Sequence, residues 1–256
     1  MVIDFHTHIF PPAIREAREE VLKIDPAFAA LYSRPHSRMA TAEELIEEMD
    51  RCQVEKAVAL NITWTSAELC RQSNDYILQS VARYPQRLLG FISLPLPLGD
   101  TTLREVERCL PGGIKGLGEL RLDIAHFTPR SRAAWEPVIA ETRRQGLILL
   151  LHASEPVGHT YTGKGKVTPG LLYKFMSLFP GIKTGCAHGG GGLPFYSLMP
   201  EVASALKDAY FDSAASSLLY QSAIFQHVSR LVGTDRILFG SDFPLMSQRK
   251  ALDYVN

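Results

Sequence analysis

The first residues of the chain that could carry chemistry are His6 and His8, which one residue separates. The apolar run before them, residues 2–6, predicts a strand, and alternate side chains of a strand share one face. Both imidazoles should therefore point the same way and could bind one cation. Two unrelated histidines at a strand end would give the same pattern, so the pair alone leaves both interpretations open.

Four further potential ligands each follow an apolar run of strand type. They are Glu119, His152, His188 and Asp242. Any one of them alone is typical of a polar cap on a strand, but in a barrel the carboxyl ends of the strands converge on one small area. Burying these polar groups beside the two histidines of the first strand would cost free energy unless a cation bound them and compensated the carboxylate charge. We therefore predict a divalent metal site, whose nitrogen and oxygen donors suit Zn, Mn, Fe, Co or Ni.

The elements that must position these side chains alternate along the chain. Apolar, β-branched runs predict strands at residues 2–6, 56–62, 88–94, 114–120, 147–152, 182–188, 210–213 and 236–241. Helical periodicity predicts helices at residues 41–52, 67–84, 101–109, 130–145, 168–179, 200–207 and 216–230. This alternation indicates an α/β fold, a (β/α)₈ TIM barrel in a single domain spanning residues 1–256. The alternative fold is a doubly wound open sheet, but the chain contains no dinucleotide-binding fingerprint that would support it.

Composition narrows the function classes. The 256 residues carry 27 Lys and Arg and 27 Asp and Glu, a formal net charge of +0, which argues against nucleic acid or an anionic membrane as a partner. The four cysteines form no Cys-x-x-Cys pair and are predicted to be free thiols in a reducing compartment. The chain shows no signal peptide, and its longest apolar run, residues 147–151, is too short for a bilayer. We expect a cytoplasmic protein with a small-molecule substrate.

Two long segments after predicted strands are candidates for a lid or for substrate contacts, since such loops build the active face of a barrel. They are residues 10–38 and 155–166. The second contains His159 and Tyr161, which we take as candidate substrate-binding residues, although a solvated surface loop would look the same. Arg121 follows Glu119 by two residues, shares its inward parity, and could bind a carboxylate or phosphate bidentately.

Several motifs, in this order, resemble the amidohydrolase-related family of the amidohydrolase superfamily. They are His6-Thr7-His8, the His152 strand end, Ala187-His188 followed by glycines, and the segment from Phe239 to Pro244. The resemblance covers nearly the whole chain. It implies a TIM barrel with one or two divalent metal ions, and most members of the family are hydrolases.

Glu119 resembles the bridging carboxylate of two-metal amidohydrolases, including TatD-type nucleases. The resemblance then implies two ions joined by Glu119, one on His6, His8 and Asp242 and the other on His152 and His188. Such a site would activate water for attack on an amide, ester or lactone bond, with Asp242 taking the proton of the water. This metal-dependent hydrolase, with zinc as the leading metal, is our main prediction. Without a cation, we expect the pKa of Glu119 to be raised.

The alternative is a metal-dependent non-oxidative decarboxylase of a small carboxylic acid, similar to aminocarboxymuconate-semialdehyde decarboxylase. One ion would then take His6, His8, His152 and Asp242. His188 would be a free acid or base, and Glu119 would have no required role. A third interpretation is a non-catalytic metal-binding or ligand-binding barrel. About two ions per chain would favour the hydrolase, and about one would favour the decarboxylase.

The segment after Asp242 is short. Residues 251–255 resemble the opening turns of an eighth helix, which we expect to be incomplete. Either the chain is truncated, or a partner subunit covers the flank between the eighth and first strands. The second option predicts a homo-oligomer.

Overall fold

The computed structural model describes residues 1–95, 99–122 and 129–256 of the chain. Within these ranges eight parallel strands pair in sequence order, as a TIM barrel requires. They are β1 (Ile3–His8), β2 (Lys56–Leu60), β3 (Leu88–Ile92), β4 (Gly116–Leu120), β5 (Ile148–Leu151), β6 (Thr184–Cys186), β7 (Ala209–Asp212) and β8 (Ile237–Leu238). The predicted (β/α)₈ fold is confirmed.

The barrel closes between β1 and the segment that follows β8. The backbone nitrogen of Phe5 donates to the oxygen of Phe239 at 2.7 Å, and that of Asp242 donates to the oxygen of His6 at 2.9 Å. These bonds bring both ends of the chain to one seam, and the seam places Asp242 beside the histidines of β1.

Inward-facing apolar side chains fill the barrel below its mouth. The cluster consists of Val58, Leu60, Phe91, Leu150 and Ala187, with Phe5 packed against it. Glycine allows the closest approach of two strands, because a Cβ at Gly118 would lie 2.4 Å from the backbone oxygen of Leu150. The interior is therefore a packed core, and only the mouth is open to a ligand.

Helices surround the strands. Within the described ranges they are α1 (Pro12–Glu16), α2 (Arg18–Ile24), α3 (Pro26–Tyr32), α4 (Ala42–Cys52), α5 (Ala67–Arg83), α6 (Asp100–Cys109), α7 (Pro129–Gln145), α8 (Pro169–Leu178), α9 (Pro200–Ala205), α10 (Ser216–Leu219), α11 (Ile224–Val232) and α12 (Gln248–Val255). A capping box begins α4: the Glu44 carboxylate accepts from the backbone nitrogen of Thr41 at 2.7 Å, and the backbone nitrogen of Glu44 donates to the Thr41 hydroxyl at 3.4 Å. No helix in the described residues is both long enough and apolar enough to cross a membrane.

Four predicted elements differ clearly from the observed ones. Residues 10–38, predicted as a long connection without assigned helices, contain α1 to α3. Pro12 and Pro26 begin two of these helices, at a position where the missing N–H of proline is not needed. The predicted helix 216–230 is divided into α10 and α11. The sixth and eighth strands end earlier than predicted, at Cys186 and Leu238, and His188 and Asp242 beyond them adopt left-handed backbone angles, with φ of 56° and 62°.

The segment after Asp242 forms α12, which packs against α4. The predicted turns at residues 251–255 belong to this helix, which begins three residues earlier, at Gln248. Gln248 is buried and donates its amide to Asp4 of β1 at 2.9 Å. The helix is thus tied to the strand that carries the first two histidines.

Candidate metal centre

The six side chains that the sequence predicts as ligands meet at the mouth of the barrel. His6 and His8 lie on β1, and Glu119 lies on β4. The other three lie beyond the ends of strands: His152 directly after β5, His188 shortly after β6 and Asp242 in the segment that follows β8. Each of the six is at most 8% exposed. Two groups of potential metal ligands are present within the described ranges, and both include Glu119.

The first group contains His6, His8 and Glu119, with Asp242 beside it. The Nε2 atoms of His6 and His8 are 3.0 Å apart, and that of His8 is 3.3 Å from Oδ1 of Asp242. Oε2 of Glu119 lies 3.7 Å from the His6 nitrogen and 3.8 Å from the His8 nitrogen. Four donor atoms from three strands therefore face one small volume.

The second group contains Glu119, His152 and His188. Oε1 of Glu119 accepts from Nδ1 of His152 at 2.8 Å and lies 3.3 Å from Nε2 of His188. The two oxygens of Glu119 thus face different groups. This placement suits the bridging role that the hydrolase prediction assigned to Glu119. It also suits a carboxylate that holds two histidines in place, so the geometry is compatible with both enzyme predictions.

A seventh polar residue, Asp212 at the end of β7, was missed by the sequence analysis. Its Oδ2 accepts from Nδ1 of His6 at 2.9 Å, and its Oδ1 accepts from the backbone nitrogens of His188 at 2.9 Å and Ala214 at 3.1 Å. A carboxylate on one ring nitrogen of a histidine orients the other nitrogen toward a metal. The signal that selected the other residues, a polar side chain at a strand end, would have selected Asp212 as well.

Asp4 connects the two segments that meet at the seam of the barrel. Its Oδ1 accepts from the backbone nitrogens of His6 at 3.2 Å and Ser241 at 2.9 Å. Its Oδ2 accepts from the Ser241 hydroxyl at 2.6 Å and from Gln248 at 2.9 Å. Burial raises the pKa of Asp4 to about 6, although these hydrogen bonds oppose the change. One carboxylate therefore fixes the chain beside both His6 and Asp242.

The centre is strongly coupled electrostatically. Burial would raise the pKa of Glu119, but His152 and His6 hold it well below its usual value, so the expected rise is wrong. Burial opposes ionisation of Asp242 too, yet its hydrogen bond to His8 lowers its pKa to about 2. Burial disfavours charged His6, but Asp212 and Glu119 raise its pKa to about 10. The expectation failed because it treated every imidazole as neutral, whereas His6, with its raised pKa, carries positive charge beside the carboxylates.

The pKa values of His152 and His188 shift in opposite directions. Burial lowers the pKa of His152, although Glu119 opposes this. For His188 burial acts in the same direction, but the hydrogen bond to Glu119 prevails and raises its pKa to about 9. Groups with opposite shifts in one site suit different roles, one as a neutral ligand and one as a proton carrier.

The donor atoms of the first group fit a metal ion. The two histidine nitrogens lie 3.0 Å apart, and each lies 3.3–3.8 Å from the oxygens of Glu119 and Asp242. Ligands bound tetrahedrally at about 2.0–2.2 Å are themselves separated by roughly 3.3–3.6 Å. The imidazole and carboxylate donors also suit a divalent transition metal. A cation at this point would replace the protons that otherwise balance Glu119 and Asp242.

A cavity of about 600 Å³ opens above the centre. All three predicted substrate-binding residues, Arg121, His159 and Tyr161, line it. Arg121 is half-buried, and burial lowers its pKa from the usual value. The Tyr161 hydroxyl donates to Glu155 at 2.9 Å, and His159 is exposed. Their location is the one that a role in substrate binding requires, and that role remains a prediction.

The fold and the cluster define a class, the TIM barrels with a histidine–carboxylate centre at the carboxyl ends of the strands. A sequence model of the amidohydrolase family matches residues 3–255, and the chain belongs to that family. The predicted resemblance is confirmed.

Named relatives give the comparison more detail. The chain is 26% identical over 308 residues to 6-methylsalicylic acid decarboxylase of Penicillium expansum, covering 99% of this chain and 88% of that protein. It is 22% identical over 303 residues to 2-amino-3-carboxymuconate-6-semialdehyde decarboxylase of Dictyostelium discoideum, covering 94% and 81%. A solved structure of 5-carboxyvanillate decarboxylase from Novosphingobium aromaticivorans, complexed with manganese and 4-hydroxy-3-methoxy-5-nitrobenzoic acid, has a TM-score of 0.78 at 15% identity, covering 99% and 89%. At that identity the likeness shows the fold alone.

These relatives correct the main sequence prediction. They are decarboxylases and not hydrolases, so the predicted hydrolase is wrong and the alternative, a decarboxylase, is favoured. The predicted role of Asp242 as the base that activates water for hydrolysis therefore no longer applies. The error arose because the position of Glu119 was taken as a mark of two-metal hydrolases, although the same ligand types serve both chemistries.

Proposed function

We propose that this chain is a metal-dependent, non-oxidative decarboxylase of a small carboxylic acid. One observation carries the proposal: the buried histidine–carboxylate cluster lies at the floor of a cavity of about 600 Å³, within the family of the named decarboxylases. Cavities of this size commonly bind small organic ligands. The substrates of the relatives make hydroxylated aromatic acids the first compounds to test.

We assign one divalent ion to His6, His8 and Asp242, whose donor atoms face one volume, with His152 as the fourth ligand that the decarboxylase alternative names. When bound, the ion would supply positive charge that binds the substrate's carboxylate and withdraws electron density from the reacting carbon. The donor set suits zinc, the metal that the sequence analysis favoured, and it equally suits manganese, which the solved relative contains. Asp212 would orient His6 through the hydrogen bond at 2.9 Å.

His188 is the proton donor in this proposal. Loss of carbon dioxide leaves the electron pair of the broken C–C bond on the substrate carbon, and a proton must replace the carboxyl group there. Nδ1 of His188 faces the backbone oxygen of Ala214 at 3.2 Å, and its Nε2 faces Oε1 of Glu119 at 3.3 Å. Two acceptors around one imidazole favour the protonated ring, in which both nitrogens donate. His188 can then deliver the Nε2 proton to the carbon as carbon dioxide leaves.

Glu119 is a positioning residue in this arrangement. It contacts the ring nitrogens of His152 and His188 at once, so it fixes the direction in which each imidazole faces the cavity. Its negative charge also stabilises protonated His188 before the proton is transferred. The presence of Glu119 therefore does not require a second ion.

The test is turnover of a panel of hydroxylated benzoic acids by the manganese-loaded and zinc-loaded protein, with carbon dioxide release and the decarboxylated product both measured. We expect release from at least one acid, and a loss of at least about a hundredfold in His188→Asn with retained metal, since a general acid contributes about 10²–10⁴-fold. The control is His227→Asn, which changes an exposed histidine of α11.

Two results would refute the proposal. One is hydrolysis of an ester, amide or lactone panel with no carbon dioxide from any acid. The other is normal turnover by His188→Asn, which would show that the proton comes from elsewhere.

A further inference from the structure

Basic side chains from two segments line part of the cavity above the metal centre. Arg34, His36 and Arg38 come from the turn after α3, and His159 comes from the loop of residues 155–166. These four residues, here called the basic rim, are all exposed. Among the described residues that line the cavity, the carboxylates are Glu119 and Asp242 of the metal centre, so no acid of the lining accompanies the rim.

The two arginines of the rim differ from several arginines elsewhere in this protein, which form ion pairs. Arg15, Arg87 and Arg108 each pair with a carboxylate, at 2.7 Å, 2.7 Å and 2.6 Å. Within the described ranges, neither Arg34 nor Arg38 forms an ion pair. Two guanidinium groups that share one cavity without a carboxylate partner repel each other, and an anion bound between them would relieve this repulsion.

Hydrogen bonds hold the backbone under the rim. The guanidinium of Arg18 donates to the backbone oxygens of Tyr32 at 2.5 Å, Ser37 at 3.1 Å and Arg34. The Ser37 hydroxyl donates to the oxygen of Leu31 at 3.0 Å. The turn that presents Arg34 and Arg38 to the cavity is thus built around a third arginine, which adds to the local positive charge.

Hydrogen bonds from a cationic side chain also hold the loop that carries His159. Nζ of Lys164 donates to the backbone oxygens of Val157 at 2.7 Å and His159 at 3.1 Å, and it lies over the ring of Tyr161 at 5.6 Å. In both segments that carry the rim, the side chain of a cationic residue therefore donates hydrogen bonds to backbone carbonyl oxygens and holds the segment in place. Basic side chains from two separate segments therefore line the cavity.

We propose that the basic rim binds a second carboxylate of the substrate, which is therefore a diacid. This inference rests on the proposed function for the identity of the reacting carboxylate, which lies at the floor of the cavity. Decarboxylation converts that group to neutral carbon dioxide, so a monoacid would give a product with no charge for the rim to bind. A second carboxylate keeps its charge throughout, and guanidinium groups bind carboxylates through paired hydrogen bonds.

Because the second carboxylate does not react, the rim binds substrate and product equally. Such binding changes the affinity and not the rate of the chemical step. The rim can therefore be tested by binding alone, with unreactive ligands and without turnover.

The experiment compares benzoate with the three benzenedicarboxylate isomers by titration calorimetry on the manganese-loaded protein at constant ionic strength. We expect at least one isomer to bind about tenfold more tightly than benzoate, a difference of about 1.4 kcal/mol. In the double variant Arg34→Gln/Arg38→Gln this ratio should fall below about twofold. Arg71→Gln, which changes an exposed arginine of α5 outside the cavity, should keep the wild-type ratio.

Two outcomes would overturn the inference. One is that no isomer binds more tightly than benzoate. The other is that the double variant weakens benzoate and the diacids by the same factor, which would make the rim a general attractor of anions. Failure of the proposed function is a separate result: a protein that prefers diacids but releases no carbon dioxide supports the rim and refutes the decarboxylase.

Discussion

At the scale of single residues, Asp212 determines how His6 faces the metal centre. It lies 206 positions from His6 in sequence, yet its Oδ2 is 2.9 Å from Nδ1 of that histidine. With Nδ1 occupied as a donor, the lone pair of Nε2 is left for a cation. The other oxygen of Asp212 bonds to the backbone of His188 at 2.9 Å. One carboxylate therefore links the proposed ligand to the proposed proton donor.

Asp212→Asn should weaken metal binding about 10–100-fold, the usual cost of losing the partner that orients a histidine ligand. The amide cannot hold the imidazole in the same way, because it lacks the charge that favours an N–H donor at Nδ1. Competition titration against a chelator measures the affinity, and Asp253→Asn, an exposed aspartate of α12, is the matched control. An unchanged metal affinity in Asp212→Asn would show that His6 needs no such orientation.

At the scale of elements, the weakest part of the barrel is its seam. The strand β8 contains only two residues, so side chains reinforce the backbone bonds between β1 and the segment carrying Asp242. Asp4 is the centre of this reinforcement, because the side chain of Gln248 in α12 donates to it. The backbone nitrogen of Gln248 also donates to Oε1 of Glu48 in α4 at 3.1 Å. The last helix thereby supports the geometry of the first two histidines.

Gln248→Ala should lower the free energy of unfolding by about 1–3 kcal/mol, because it removes a donor from a buried carboxylate. Urea denaturation measures the change. Gln226→Ala, which truncates an exposed glutamine of α11, should stay within about 0.5 kcal/mol of the wild type. Equal stability of the two variants would mean that α12 does not support the seam.

Two loops at the mouth of the barrel form part of the cavity wall. Glu155 accepts from the hydroxyls of Tyr161 and Tyr220, both at 2.9 Å, so it ties the loop of residues 155–166 to the end of α10. The turn after α3 faces this loop across the cavity. Both segments that the sequence analysis selected as lid or substrate candidates therefore contribute to the wall of the cavity.

At the scale of the whole molecule, the buried charges at the mouth couple stability to the metal. A ligand that binds only the folded state stabilises it by about 2.7 kcal/mol at a hundredfold excess over its Kd. For a chain of this size that corresponds to about 5–10 °C in Tm. Removing the ion with a chelator should lower Tm by this amount, and adding manganese or zinc should restore it.

Calorimetry checks the change in Tm, with chelator already saturated with metal as the control. Elemental analysis of the restored protein should find about one ion per chain. A Tm that does not respond to the chelator would contradict a structural contribution of the ion. Two ions per chain would contradict the assignment of a single ion to the four proposed ligands.

Much of the site could be predicted from the sequence. The strands alternate with helices, and a ligand-type residue stands at or just beyond the end of β1, β4, β5, β6 and β8. These are local properties, since an apolar run and its terminal polar residue are adjacent in the chain. Barrel geometry then requires the ends to converge, which is why His6, His152 and Asp242 could be placed together without coordinates.

Other features depended on the tertiary structure. The contact of Asp212 with His6, the two-sided position of Glu119 and the basic rim each join segments far apart in the chain, and their distances follow from how the barrel closes. The choice between hydrolase and decarboxylase lay beyond the local pattern for a related reason. Histidines and carboxylates at strand ends are required by the metal and not by the reaction, so both chemistries share them. What separates two reactions on one metal is the arrangement of groups around the substrate, such as His188 against Glu119 and Arg38 at the mouth, and only the folded chain sets that arrangement.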